Sequence, residues 1–350
     1  MHTTYYIQTA VLGGFIHKLK SSFRVFVPVE KPQERQKEKD YAYKELNGAE
    51  DICFNPYRAV EPFKSFFTYP QESVCSYFDQ DQPIGAANVV VFGVKSCDIA
   101  GHRVQDFVFL EGVEVDASYR LRRENTIIIS GDCTDFKQVC HCLAWEILPH
   151  PTIGFDLNLS PLNDGYLVDV GSAKGDKLIQ QYKDCFAPAR ETQISARKAK
   201  RENLIDRLKR HLLPQNLVSP KVVQGLVKEG YGLDTWKEFM RTCVECGGCN
   251  FICDTCHCFL LSDKKEGAIN KKVRAWDSCL YANYARVAGG ANPLRTRAQR
   301  LRNRFMKKFD FFVDNLGMPA CCGCGRCIEV CPGKIDIREV LKDLAKRLNK

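Results

Sequence analysis

Eight of the 19 cysteines in this chain fall into two copies of one pattern. The first copy is Cys243-x2-Cys246-x2-Cys249-x3-Cys253; the second is Cys321-x2-Cys324-x2-Cys327-x3-Cys331, which runs straight into Pro332. Three thiolates on one tight turn can hold three corners of an iron–sulfur cube, and a more distant thiolate takes the fourth iron. Gly247, Gly248, Gly323 and Gly325 lie between them, where small residues let the backbone approach the sulfides. In two-cluster ferredoxins the fourth cysteine of each run crosses to the other cluster. That rule groups Cys243, Cys246 and Cys249 with Cys331, and Cys321, Cys324 and Cys327 with Cys253. Structural zinc is the plain alternative, but zinc takes paired ligands and seldom needs a third cysteine in the same turn. Iron–sulfur centres pass single electrons, so two of them point to electron transfer.

The remaining cysteines leave more open. Cys97-Asp98 follows the strand candidate Val89–Val94, and Cys133 follows the candidate Thr126–Ser130. Both would emerge at strand ends, where α/β sheets place their ligand sites. With Cys140 and Cys142 nearby, these four thiols could form a third 4Fe–4S site; a zinc site or reduced thiols are the alternatives, and His141 or Asp98 could substitute as ligand. Cys256, Cys258 and Cys279 could hold a further centre, or could pack beside the first motif and donate weak hydrogen bonds to cluster sulfur. Cys322 reads as a neighbour, since using it would break the two-residue spacing, and Cys53, Cys75 and Cys185 read as buried thiols.

The elements that must position these residues divide the chain. Residues 1–175 read as a mixed α/β domain with strands at Phe23–Val29, Asn88–Val94, Thr126–Ser130 and Tyr166–Val170. Glu30–Lys39 is a charged loop without an apolar face. Residues 176–214 are polar and basic, a helical connector through Ala196–Leu212. Residues 215–350 read as helical. Ser219-Pro220 starts one helix, Asp234 caps the next, and Leu294, Ala298, Leu301, Phe305, Phe309 and Phe312 recur at helical spacing after Pro293. Asp336 with Glu339 resembles a capping box before a last helix that buries Val340, Leu341, Leu344 and Leu348. The expected class is α+β, an N-terminal mixed α/β domain followed by a C-terminal α-helical ferredoxin domain.

Composition narrows the function further. With 350 residues, 45% apolar and 27% charged, the chain has the make-up of a folded protein and not of a disordered one. No apolar run approaches the roughly 18 residues of a membrane span, and the N-terminus lacks a basic start and a cleavage site, so a cytoplasmic protein is expected. Formal charge is +9, and seven Lys or Arg residues fall between Arg295 and Lys308. They form a solvated helix face, a docking surface, or compensation for cubes that carry about −2 each. No recognition fold or aromatic platform supports nucleic-acid binding. GxGxxG, GxxxxGK[ST] and HExxH are all missing, so flavin or nucleotide chemistry belongs on another chain. His102 and His141 read as structural.

These residues together resemble the 4Fe–4S dicluster electron-transfer subunit family, typified by the iron–sulfur subunit of anaerobic sulfite reductase and the beta subunit of archaeal sulfhydrogenase. The resemblance covers nearly the whole chain. It runs through Phe92-Gly-Val-Lys-Ser-Cys97-Asp98, Arg122-Arg123-Glu-Asn-Thr126, the Cys133 to Cys142 loop, Gly154-Phe-Asp-Leu157 and Asp164-Gly-Tyr-Leu-Val168. It continues in the first cysteine motif with its CDTCHCF ending, Arg274-Ala-Trp-Asp-Ser-Cys279, and Cys324 through Pro332 to Ile335-Asp-Ile337. Asp254 stands where the family usually has proline. The resemblance implies two cubanes in the helical part, and an α/β part that docks a diaphorase-like flavin partner and holds a further cluster at the Cys97/Cys133 group. It implies a cytoplasmic, anaerobic, non-catalytic subunit. Such a protein relays electrons between a flavin, NAD(P)H or ferredoxin module and a catalytic chain, such as a sulfite reductase, a NiFe hydrogenase or a heterodisulfide-reductase-like module. Two rivals remain: a catalytic sulfur-compound reductase with an open-site cluster near Cys256, Cys258 and Cys279, and a zinc-stabilised scaffold.

Overall fold

A computed structural model describes residues 3–32, 38–47, 53–77, 87–267 and 269–350. The chain opens with β1 (Thr4–Gln8), α1 (Thr9–Leu19), β2 (Arg24–Lys31), β3 (Asp40–Glu45), β4 (Gln71–Ser76) and β5 (Val89–Val94). Then come α2 (Ser96–Leu110), α3 (Ala117–Asn125), β6 (Thr126–Gly131), β7 (Leu157–Pro161), β8 (Gly165–Val170), α4 (Ala173–Gln181), β9 (Ala187–Pro188) and the long α5 (Glu191–Leu212). Eight strands form one mixed sheet in the order β3-β2-β5-β6-β7-β8-β1-β9, with β2, β5, β6 and β7 parallel.

β5 and β6 are runs of Val, Ile and Phe because both their faces are covered. Val90, Phe92, Ile127 and Ile129 pack with Phe15 and Ile16 of α1, while Val91 and Ile128 face Phe63, Phe67 and Phe109 on the other side. The four expected strands are present with shifted ends. Glu30 and Lys31, expected in a charged loop, close β2 instead, and Lys39 reaches back to Glu30 at 2.8 Å; residues 33–37 lie outside the described residues. Residues 176–214 span the end of α4, β9 beside β1, and α5, whose Leu204 and Leu208 are buried. Arg197 and Arg201 of α5 pair with Asp169 and Asp132.

The second part contains α6 (Pro220–Glu229), α7 (Thr235–Phe239), α8 (Gly248–Phe251), β10 (Phe259–Glu266), β11 (Ile269–Trp276), α9 (Arg297–Met306), α10 (Phe312–Leu316), α11 (Arg326–Glu329) and α12 (Ile337–Arg347). Ser219 caps α6 by accepting from Lys221 N, with Pro220 at the first helical position. Asp336 caps α12, but Glu339 does not complete a capping box; it pairs with Lys342. Asp234 begins α7 without capping it, because its carboxylate is held by Lys237 at 2.7 Å. Trp236, Leu301, Phe305, Phe309, Val340 and Leu344 share one core. A π-turn over Lys307–Phe311 joins α9 to α10. It keeps Phe309 in the core while Lys308 is also buried. The fold is α+β, a mixed sheet followed by a largely helical unit.

Two expectations fail here. The β10–β11 hairpin interrupts a region read as wholly helical, and β4 extends it to a three-stranded sheet. β10 is exposed along its length, so backbone pairing holds it and no alternating apolar pattern announces it. Cys75 lies exposed on the edge strand β4, not buried, and Cys53 is half-buried; Cys185 is buried as expected. Glu72 of β4 is held by Arg274 and Arg122, which ties the small sheet to the α/β part.

Ile129 is fully buried in β6, the strand that delivers Cys133. Ile129→Ala should cost about 2–5 kcal/mol, read as a lower urea midpoint.

Candidate metal centres

The two motifs cross. Cys243, Cys246 and Cys249 have Cys331 as their fourth sulfur neighbour, and this set lines one cavity at the ends of α7 and α8. Cys321, Cys324 and Cys327 surround Cys253 from the other motif. The exchange follows from how the loops fold. Each short helix (α8, α11) carries the third cysteine of its motif, Cys249 or Cys327, and the fourth cysteine just beyond it lands beside the opposite set.

A third set gathers where the sheet meets the helical part. Cys97 sits in the first turn of α2 just after β5, where Asp98 accepts from Lys95 N at 3.0 Å and fixes the turn. Cys133 follows β6, its N–H bound to Pro149 O. Cys140 and Cys142 come from the next loop, and all four line one cavity together with Cys324 of the second set. The second motif touches this loop directly, since His141 N donates to Gly323 O at 2.8 Å. Gly323 has φ +63°, and a Cβ there would stand 2.6 Å from the His141 carbonyl. Gly325 has φ +73° and would meet Val139 at 2.5 Å. Both positions therefore need glycine twice over, for backbone hand and for space.

None of the 19 cysteines forms a disulfide. Burial pushes Cys321 to about 11 and Cys133 to about 12, and raises Cys97, Cys142 and Cys327 as well. Their thiolates need positive charge close by, which bound iron supplies. Two ligand candidates run the other way. The Cys322 thiol, helped by Arg326 and Arg58, holds Cys324 down at about 6, while the Cys256 thiol, Lys308 and Arg304 hold Cys253 low. Cys322 is thus a neighbour of the second set, as its spacing implied.

Cys256, Cys258 and Cys279 are spread around Asn250. Cys256 hydrogen-bonds to Cys253, and Cys258 pairs with Cys279 and lies 3.5 Å from the Tyr284 hydroxyl. Asn250 Nδ2 donates to Cys279 Sγ at 3.1 Å. No three His, Cys, Asp or Glu side chains among the described residues converge tightly enough for a single metal ion; the first and third thiol sets line cavities.

Sequence reasoning missed the buried charges. Arg326 is 1% exposed and pairs with both Asp98 (2.7 Å) and Asp254 (2.8 Å), so Asp98 ties the second motif to α2 and Asp254 ties it to the first motif. Arg58 donates to Cys324 O at 2.8 Å and pairs with Glu329. Lys308 Nζ lies 3.4 Å from Cys253 Sγ. Arg300, Arg304 and Lys308 are all buried, so the seven-cation segment is not simply a solvated face. Their spacing of four residues was the available signal: it puts three cations on one helix side, next to the apolar stripe. His102, read as structural, is buried among Phe63, Phe67 and Tyr119, and desolvation holds it neutral at about 3.

The donor chemistry fits iron–sulfur clusters: twelve thiols in three sets of four, with buried cations between the sets. A family model described as a 4Fe-4S dicluster domain matches residues 242–335, which contain both motifs. The chain is also 30% identical over 337 residues to Sulfhydrogenase 2 subunit beta of Pyrococcus furiosus, covering 95% of this chain and 96% of that protein. No helix among the described residues is long and apolar enough to cross a membrane.

Gly323→Ala should destabilise the chain by at least about 1–3 kcal/mol, from the left-handed backbone and the clash with His141. The check is thermal unfolding beside Gly267→Ala, whose site has a similar φ but open space; equal losses in the two would contradict the close approach.

Proposed function

The chain belongs to the 4Fe–4S dicluster subunit family that includes sulfhydrogenase beta subunits, and from that membership we propose that it is the electron relay of a cytoplasmic, anaerobic oxidoreductase complex. One cube would be held by Cys243, Cys246, Cys249 and Cys331, a second by Cys321, Cys324, Cys327 and Cys253, and a third by Cys97, Cys133, Cys140 and Cys142. The observation that carries this reading is the sharing of walls between thiol sets. Cys324 of the second set lines the cavity of the third, and Cys327 of the second lines the cavity of the first. Single electrons could then pass from end to end without crossing water.

When bound, the clusters supply the redox chemistry, each changing by one electron. The protein's residues place the sulfurs, exclude water and fix the local charge. Lys308 beside Cys253 and Arg326 beside Cys324 hold positive charge near the second set. No acid, base or nucleophile is required, so no catalytic residue is assigned. Cys256 would serve as a hydrogen-bonding neighbour of Cys253, with Cys258 and Cys279 behind it.

In domain terms, residues 1–175 would carry the third centre and the docking face for a flavin- or NAD(P)H-bearing subunit. Residues 176–214 would connect to the dicluster unit at 215–350, which would face the catalytic chain: a sulfite reductase, a NiFe hydrogenase or a heterodisulfide-reductase-like module. Anaerobically prepared chain should take up about one electron per cluster from dithionite and return them to a viologen. Alone, it should reduce neither sulfite nor polysulfide. Sulfite or polysulfide turnover by the isolated chain would overturn the relay reading. Cys331→Ser should change the EPR signal of the first centre and leave the second centre's signal in place; the reverse outcome would refute the crossed assignment.

A further inference from the structure

Three guanidinium groups stand at the walls between the thiol sets, each with a buried nitrogen that has no hydrogen-bond partner: Arg58 Nη1, Arg304 Nη2 and Arg326 Nη2. They are 2%, 5% and 1% exposed. An unmade bond on a buried charged donor is costly, so such donors need an acceptor. Arg304 shares a wall of the first set's cavity with Cys249 of that set and Cys327 of the second, and the groups that act most on its charge are the sulfurs of Cys249, Cys327, Cys256 and Cys253.

Arg304 differs from the other two in its charge balance. Arg58 is answered by Glu329, and Arg326 by Asp98 and Asp254. Arg304 spends its Nε–H on the neutral Asn250 Oδ1 at 2.9 Å and has no carboxylate partner among the described residues. Its charge is therefore free to act on the sulfurs. A guanidinium cannot lose its proton at any working pH, and its planar fork lets one edge hold Asn250 while another nitrogen faces elsewhere.

We infer that Arg304 donates its free Nη2 N–H to cluster sulfur at the seam between the first and second centres and holds both at a higher potential than the third. The inference rests on the three-cluster relay reading above. Reduction adds negative charge to a cube, and a fixed cation a few ångströms away in a dry interior favours that state. Hydrogen bonds to cluster sulfur act in the same direction. At the opposite seam the carboxylates beside Arg58 and Arg326 cancel much of the equivalent field. Electrons then come to rest on the first and second centres, and the third is the harder one to reduce.

The test is an EPR-monitored redox titration of the anaerobic holoprotein and of Arg304→Gln, which removes the charge, with Arg304→Lys as the charge-retaining control. At a fixed potential the reduced-to-oxidised ratio of the first centre should fall at least tenfold in R304Q, equivalent to about 59 mV for one electron. The third centre should move much less, and R304K should restore part of the shift. R304Q with wild-type iron content and unmoved potentials would overturn the inference. Should R304Q fail to load iron, wild-type protein carrying guanidino-15N arginine decides the matter. A 15N hyperfine coupling on the reduced first centre supports the donor, and its absence refutes it. Wild-type protein without any iron–sulfur signal would instead overturn the cluster reading itself.

Discussion

A charge taken out of water has to be answered by opposite charge or by hydrogen bonds within a few ångströms. This chain buries Lys64, Arg58, Arg300, Arg304, Lys308 and Arg326 in the region where its thiols converge. Some of these find carboxylates. Lys308 and Arg304 find Thr255, a carbonyl and Asn250, with sulfur as the remaining neighbour. Anionic sulfur clusters and buried cations thus explain each other: neither would be stable in this interior without the other. The gathering of the thiols and the packing of α9 against the motifs both follow from satisfying that pairing.

The same constraint explains why the α/β part and the helical part are not separable beads. Arg326 of the second motif is clamped by Asp98 from α2 and by Asp254 beside the first motif. Arg58, from the loop before β4, reaches Cys324 O, and Glu329 of α11 binds both Arg58 and Lys137. Pairs this deeply buried contribute little net stability compared with apolar packing, but losing one partner strands the other. They fix relative position. For the relay proposed above, whose rate would depend on separation, fixed position is what the interface has to supply.

Much of this was legible in the sequence. The repeated cysteine run pointed to a 4Fe–4S dicluster domain, which the matching family model supports, and in the fold Cys253 and Cys331 each lie near sulfurs of the opposite motif. The runs VVVFGV and TIIISG gave the central strands, and their ends gave Cys97 and Cys133. What escaped had physical reasons. β10 is exposed on both faces and carries Asp, Lys and Glu, so no period marks it. Asp234 and Glu339 have cap chemistry in sequence, yet nearby lysines capture both carboxylates. Arg58 and Lys64 reach the Cys324 and Cys256 carbonyls only through tertiary contacts from almost 200 or more residues away, which no local pattern encodes.

Everything rests on the converging thiols holding iron–sulfur cubes and not another metal. Metal and acid-labile sulfide analysis of protein purified without oxygen tests this most directly. Iron and sulfide should appear in equal amounts, about four of each for every cysteine set, with three sets filled. Stoichiometric zinc with negligible sulfide would contradict it.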